Sequence, residues 1–366
     1  MPPPSPLLSD LDERMAPLTG STTPLYWHEP VAGPFRLSGF AWYRHDHVYR
    51  RLPLDNREAL PAAVDHLADH TAGGQIAFQS DSRQIAIRVD LKSPADMNHM
   101  PATGQCGFDL YIGPSYARRF HGTTVYDRLQ TRYEALLFEH TEARMREFVL
   151  NYPLYQGVKR VQIGLIPKAS IRPPKSWSRA GRVVFYGTSV TQGGCASRPG
   201  MAYTNILSRS LNVEVVNLGF SGSGKGEPEV IRAIATVPDP LLFVLDYEAN
   251  TQGDLATTLP EAIRILRGAH KDVPILVISR IAFAKDATHE ENLRARIANR
   301  DLQSEVVTAQ HEAGDNRIHF LDGSVLLGPE TDEGTVDGTH PSDLGFMRMA
   351  RNLEPVIRDL LGPTGQ

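Results

Sequence analysis

The chain has 366 residues, long enough at roughly 150 residues per domain for two domains that each bury a core. Its 38 Lys and Arg against 42 Asp and Glu leave a net charge of −4, which argues against nucleic acid as a partner. No apolar run approaches the roughly 18 residues that a membrane helix needs, so no membrane association is expected.

The opening MPPPSPLLSDLDERMAPL has neither a basic n-region nor a sustained apolar h-region, and the chain is expected to stay in the cytoplasm. Cys106 and Cys195 are too few for a disulfide framework or a thiolate zinc site, and both are expected to be reduced. From about Trp27 to Pro167 short alternating or β-branched stretches are broken by Gly, Pro and Asp. In IAIRVDL, Ile85, Ile87, Val89 and Leu91 fall on one face of a half-buried strand, with Ala86, Arg88 and Asp90 on the other. CGFDLYIG and VKRVQIGLI read likewise, and EALLFEHTEARMREFVLNYP is taken as further sheet because of its setting. The pattern predicts an antiparallel β-sandwich, jelly-roll-like, over residues 1–168.

Residues 169–181, ASIRPPKSWSRAG, lack apolar periodicity and read as a linker. Over residues 182–366 the rhythm changes to strands alternating with helices. RVVFYG, VEVVNLGF, PLLFVLDY, PILVISR and RIHFLDG are the strands, and an amphipathic helix closes the chain. Such alternation predicts a flavodoxin-like, three-layer α/β/α domain around a parallel sheet, with ligands bound beyond the carboxyl ends of its strands.

Chemistry is expected at that edge. The first α/β strand runs into Gly187-Thr188-Ser189, a setting suited to a nucleophile, although a serine in a turn is commonly only a cap. A serine hydroxyl needs a base, itself oriented by a third group. Asp337-Gly338-Thr339-His340, just before the last helix, offers both, whereas elsewhere an Asp and His so spaced would be a surface pair. Two further loops at the same edge offer oxyanion donors: Gly222 in NLGFSG, whose N–H has no Cβ in the way, and the amide of Asn250 in DYEAN. Gly219 to Lys225 also reads as a phosphate-binding loop, but Gly226 stands where Ser or Thr would hold magnesium and Pro228 leaves little room for the helix.

Together these residues resemble the SGNH (GDSL-like) hydrolases, with GTS in place of the usual GDS and EANT in place of GxND. The closer resemblance is to a subgroup with a β-rich N-terminal domain and a GxDLY signature, present here as Gly107-Phe108-Asp109-Leu110-Tyr111, similar in layout to two-domain carbohydrate esterases. The resemblance implies that Ser189 is the nucleophile, Asp337 and His340 complete a triad, and the N–H groups of Ser189 and Gly222 with Asn250 form the oxyanion hole. It implies no metal and no cofactor. The expected substrate is a small-molecule or oligosaccharide ester, most simply an O-acetyl group on a carbohydrate. The alternatives are a lipase, thioesterase or acyltransferase using the same triad, and then a non-catalytic carbohydrate-binding protein; a homo-oligomer is left open.

Arg280, at the end of the fourth α/β strand, and Trp42, an aromatic suited to stacking on a sugar, are candidate substrate contacts, with an ion pair and a core position as the plainer readings. His45-Asp46-His47 and His66 with His70 have ligand spacing, yet solvent-facing positions explain them as well. Cys195 reads as a small buried residue rather than a catalytic one.

Overall fold

The computed structural model describes residues 11–12, 23–31 and 33–363. The stretch that reads as lacking a leader lies, apart from Leu11 and Asp12, outside the described residues.

Short runs between turn residues form strands β1 (Tyr26–His28), β2 (Arg36–Ser38), β3 (Gln75–Ser80), β4 (Gln84–Leu91), β5 (Asp109–Ile112), β6 (Arg119–Thr123), β7 (Arg132–Glu139), β8 (Arg146–Asn151), β9 (Val158–Leu165) and β10 (Ile171–Arg172). A helical turn (Tyr43–Asp46) and helix α1 (Ala62–Ala68) lie between β2 and β3, and a second helical turn (Ala102–Gln105) lies between β4 and β5. Their pairings are antiparallel: β1, β9, β4 and β7 form one sheet, and β10, β3, β8, β5 and β6 the other, with β2 also on β3. Ile76, Phe78 and Phe148 from one sheet share an apolar cluster with Ile87, Val161 and Ile163 from the other, which makes the pair a sandwich. On β4 the expected alternation holds, with Ile85, Ile87, Val89 and Leu91 buried and Arg88 exposed; Ala86, on the other face, is buried as well.

The Pro-rich stretch after β9 is pinned rather than loose. Ile171 and Arg172 pair with Ser80 and Gln79, Gln79 Nε2 donates to Pro173 O at 2.7 Å, and the Arg36 guanidinium lies 4.2 Å from the Trp177 ring centre. Composition signals missing periodicity there; it cannot signal an open edge on β3 that accepts a short strand.

The second half folds as β11 (Arg182–Gly187), α2 (Ser189–Gln192), α3 (Tyr203–Leu211), β12 (Glu214–Gly219), α4 (Pro228–Ile234), β13 (Pro240–Asp246), α5 (Leu255–Ala269), β14 (Ile275–Ile278), α6 (Glu290–Glu312), β15 (Ile318–Leu321) and α7 (Asp343–Leu361). The five strands are parallel in the order β12-β11-β13-β14-β15. Alternate residues feed opposite faces. Val183, Phe185, Val215 and Val244 pack with Leu207 of α3 and Phe346 of α7, while Val184, Tyr186, Val216 and Leu245 pack with Ile231 of α4 and Ile263 of α5. Helices thus cover both faces, as continuous apolar strands require. Ala72, Leu154 and Tyr155 join the first cluster, and Leu52, Val64 and Ala68 the second, so the N-terminal half shares both cores.

Strand order reverses at β11, which places a crevice at its carboxyl end.

Candidate active site

β11 ends at Gly187, where a Cβ would fall 2.0 Å from Thr191 Oγ1 and 2.4 Å from Asp246 O, so only glycine lets β13 and the following turn close together. Thr188 caps that turn by accepting the Val190 N–H at 3.3 Å, and Ser189 becomes the first residue of α2. Its N–H, at the start of a helix, has no partner within the helix.

The loop before α7 is folded on its own aspartate. Asp337 Oδ1 accepts the N–H groups of Thr339 at 3.0 Å and His340 at 2.8 Å, and Oδ2 lies 2.7 Å from His340 Nδ1. His340 Nε2 is 2.9 Å from Ser189 Oγ. Burial works to raise the Asp337 carboxyl, but the bonds from the His340 backbone and ring outweigh it and hold the group below the usual carboxylate range. An ionised Asp337 only accepts, so Nδ1 carries the hydrogen and Nε2 is left to accept from the serine hydroxyl.

The loop after β12 lies beside this pair: Phe220 N donates to Gly187 O at 2.9 Å, and Ser221 N donates to Gln192 Oε1 at 3.1 Å. Gly222, at φ +65, has nothing within 4 Å of where a Cβ would stand and so faces open space. Asn250 closes a short 3-10 turn beyond β13, and its Nδ2 makes a long 3.4 Å bond to Phe220 O. The structure therefore joins Ser189, His340 and Asp337 directly, and ties the Gly222 and Asn250 loops to each other and to the Ser189 turn.

The two predicted substrate contacts are both held by protein groups. Arg280 leaves β14 at the expected edge; its guanidinium is bonded to Asp286, at 3.0 and 2.8 Å, and its backbone N–H donates to Glu248 at 2.7 Å, which is the ion pair of the plainer reading. Trp42 donates to Thr236 Oγ1 at 3.1 Å, just before β13 begins, which puts it at the amino edge of the sheet, opposite Ser189. It lines a cavity of about 770 Å³ with Pro53, Arg57, Arg232 and Ile265, away from the serine.

The histidine pairs fare similarly. His45 and Asp46 bond to each other at 2.7 Å around a single helical turn rather than on a strand, and burial pushes His70 down to about 3, leaving it neutral against Gln192 Nε2 at 3.0 Å. Among the described residues neither pair gains a third donor. In the phosphate-loop lookalike, the N–H groups of Gly224, Lys225 and Gly226 already donate to Phe220 O, Glu227 Oε2 and the Tyr186 hydroxyl. Burial, with Asp337 adding, pushes the Cys195 thiol up to about 12, so it is no rival nucleophile at neutral pH.

Three supports escape sequence reasoning. Arg51, fully buried, donates to the carbonyls of His70, Leu67, Asn217 and Gly219 at 2.5 to 3.2 Å, bracing the end of β12 from the N-terminal half. Asp109 of the GxDLY signature accepts from Arg198 at 2.9 Å, Gly200 N at 2.7 Å and Asn151 at 2.7 Å, clamping the sandwich onto the loop that follows Cys195. The signature flags Asp109, but nothing in the sequence flags Arg198 as its partner.

The third is Asp246, at the end of β13, which accepts from Thr191 Oγ1 at 3.0 Å and the Tyr203 hydroxyl at 2.9 Å beneath the Ser189 turn. Burial pushes this carboxyl up to about 7 from 3.8, against the two hydroxyl bonds. The native state then keeps a proton that the unfolded chain releases, so stability falls as pH rises from about 4 to about 7 and levels off above. Asp246→Asn should remove that loss. Its thermal midpoint, compared with the wild type, should shift in the variant's favour between pH 5 and pH 8, and an equal offset at both pH values would contradict the assignment.

A parallel sheet whose carboxyl edge carries a Ser–His–Asp chain defines a hydrolase-like α/β domain, here joined to an antiparallel sandwich. Residues 180–358 match the model of the GDSL-like lipase/acylhydrolase family, and residues 25–171 match the GxDLY model, described as the N-terminus of SGNH-hydrolase-type esterases. The chain belongs to the SGNH (GDSL-like) hydrolases, in the subgroup with a GxDLY N-terminal domain. Among solved structures it is similar to one described as a GDSL-like lipase from Bacteroides ovatus, at 29% identity and a TM-score of 0.85, covering 92% of this chain and 98% of that one. The salicylyl-acyltransferase SsfX3 from a tetracycline biosynthetic pathway shares the fold at 17% identity and a TM-score of 0.73, over 93% and 99% of the two chains. A family two carbohydrate esterase from Clostridium thermocellum, in complex with cellohexaose, shares it at 15% and 0.59, over 80% and 93%. No curated protein matches the chain.

Proposed function

We propose that the protein is a serine esterase that removes small acyl groups, acetyl above all, from carbohydrate esters. The observation that carries the reading is the unbroken chain from Ser189 Oγ through His340 to Asp337, at 2.9 and 2.7 Å. His340 takes the serine proton as Oγ attacks the ester carbonyl, and the N–H groups of Ser189 and Gly222 with the Asn250 amide receive the oxyanion. The alcohol leaves with the proton from His340. Water, activated by the same imidazole, then attacks the acyl-serine and releases the carboxylic acid. Asp337 holds the imidazole in the tautomer that both halves need.

The preference for a small acyl group on a polar alcohol rests on what surrounds the serine. The His99 ring stands 5.8 Å from that of His340, and the Tyr155 hydroxyl donates to Ser189 O at 3.3 Å. Asn98 lies next to His99, Ser221 is in the loop after β12, and Asn250 is in the turn after β13 that bonds to that loop. These groups suit hydroxyl-rich substrates better than an alkyl chain. A carbohydrate esterase and an acyltransferase both share the fold, so transfer of a longer acyl group is the second reading.

Initial rates on p-nitrophenyl esters from acetate to long acyl chains, followed by acetylated sugars, separate the two. Acetate is expected to be the best of the series, with rates falling as the chain lengthens. A rising series would move the assignment to a lipase, thioesterase or acyltransferase acting on longer acyl chains.

A further inference from the structure

One cluster at the site extends beyond the acyl-transfer machinery. His99, Cys195, Asp337 and His340 each present one donor atom, and these atoms all lie within 4.8 Å of one another. Two of the four belong to the chain on Ser189; His99 and Cys195 do not. His99 comes from the loop between β4 and β5, and Cys195 from the turn after α2, so three separate segments converge.

We infer that these four residues form a binding site for a thiophilic divalent cation, represented by Zn2+, whose occupancy switches the enzyme off. That it inhibits rests on the esterase reading above; that it binds does not. Imidazole, thiolate and carboxylate together are a zinc-type donor set and a poor one for Mg2+ or Ca2+, which take oxygen. Zinc bonds of about 2.0–2.3 Å put tetrahedral donors about 3.5 Å apart, so the cluster needs to contract by about an ångström. His99 is exposed, its Nδ1 bonds to the side chain of its neighbour Asn98 at 3.1 Å, and its ring already stands 5.8 Å from that of His340.

Inhibition follows from the geometry of His340, whose two ring nitrogens are both in use. If the ion takes Nε2, the bond to Ser189 is lost; if it takes Nδ1, the bond to Asp337 is lost. Either way the base is gone. On binding, the Cys195 thiol gives its proton to solvent and a sulfur–metal bond forms, with no change of oxidation state. The ion is an inhibitor here, not a cofactor, and chelation restores the free site.

The test uses Zn2+ and Co2+ on the purified full chain, with Mg2+ as control. Zn2+ at micromolar levels should lower ester hydrolysis at least about tenfold, reversibly with EDTA, and Mg2+ should do nothing. In Cys195→Ser and in His99→Ala, each compared with its own metal-free rate, the half-inhibiting zinc concentration should rise by about tenfold or more. Co2+ should give a near-ultraviolet thiolate-to-cobalt band in the wild type and in Ser189→Ala, lost in Cys195→Ser. That band reads the site even where no ester is turned over, so failure of the esterase reading and failure of the metal site are distinguished. His99→Ala, on an exposed loop, keeps the test valid should the buried Cys195 variant misfold. Equal zinc sensitivity in all three proteins, or no thiolate band in the wild type, overturns the proposal.

Discussion

Ser189→Ala should lose about 10⁴- to 10⁶-fold in kcat on any ester the wild type hydrolyses, with its thermal midpoint nearly unchanged. The hydroxyl is the attacking atom, and the residual rate would come from the oxyanion donors and from binding alone. His340→Ala should fall as far. The Ser189→Ala, His340→Ala double variant should be no slower than either single one, because residues acting as a unit are not additive. Asp337→Asn should lose somewhat less, about 10³- to 10⁴-fold: Asn keeps the shape but can present an N–H to Nδ1 and turn the imidazole to the wrong tautomer. Steady-state kinetics on p-nitrophenyl acetate measure all four. Independent, multiplying losses would mean that Ser189 and His340 do not act together.

The largest expected effect on stability is at Arg51. Its guanidinium is wholly buried, meets four backbone carbonyls and lies 4.8 Å from the centre of the Phe220 ring. Burial pulls its pKa down, and the four carbonyl dipoles hold the charge in place of a carboxylate. Arg51→Ala leaves a cavity and strips those carbonyls of their donors together, a loss of about 3–5 kcal/mol. Arg51→Lys should recover little, since one ammonium cannot span carbonyls from α1, the segment after it and β12. Because Gly219 begins the loop that carries Gly222, both variants should also lower kcat below the denaturation range. Urea unfolding followed by activity at low urea reads both effects, and a loss under 1 kcal/mol would remove Arg51 from this role.

Periodicity made the two halves legible, because a strand covered on both faces must be apolar throughout while a sandwich strand alternates. The site was legible where chemistry is local: Asp337 and His340 are three residues apart in one loop, and Ser189 sits where β11 must stop. Partnerships across the fold were not. Asp109 and Arg198 meet only because the sandwich docks beside β11, and β10 forms only because β3 has a free edge. The end of β14 gives the edge at which Arg280 lies but not its partner Asp286, and an aromatic suited to stacking, as Trp42 is, carries no sign of which end of the sheet it meets.

The proposed mechanism requires Ser189 to be the residue that carries the acyl group. Diethyl p-nitrophenyl phosphate phosphorylates an activated serine and releases p-nitrophenolate, and the modified peptide can be identified by mass spectrometry. One diethylphosphoryl group per chain, on Ser189, with activity lost in step, is the predicted result. Labelling of another residue, or full activity in protein labelled on Ser189, would contradict it.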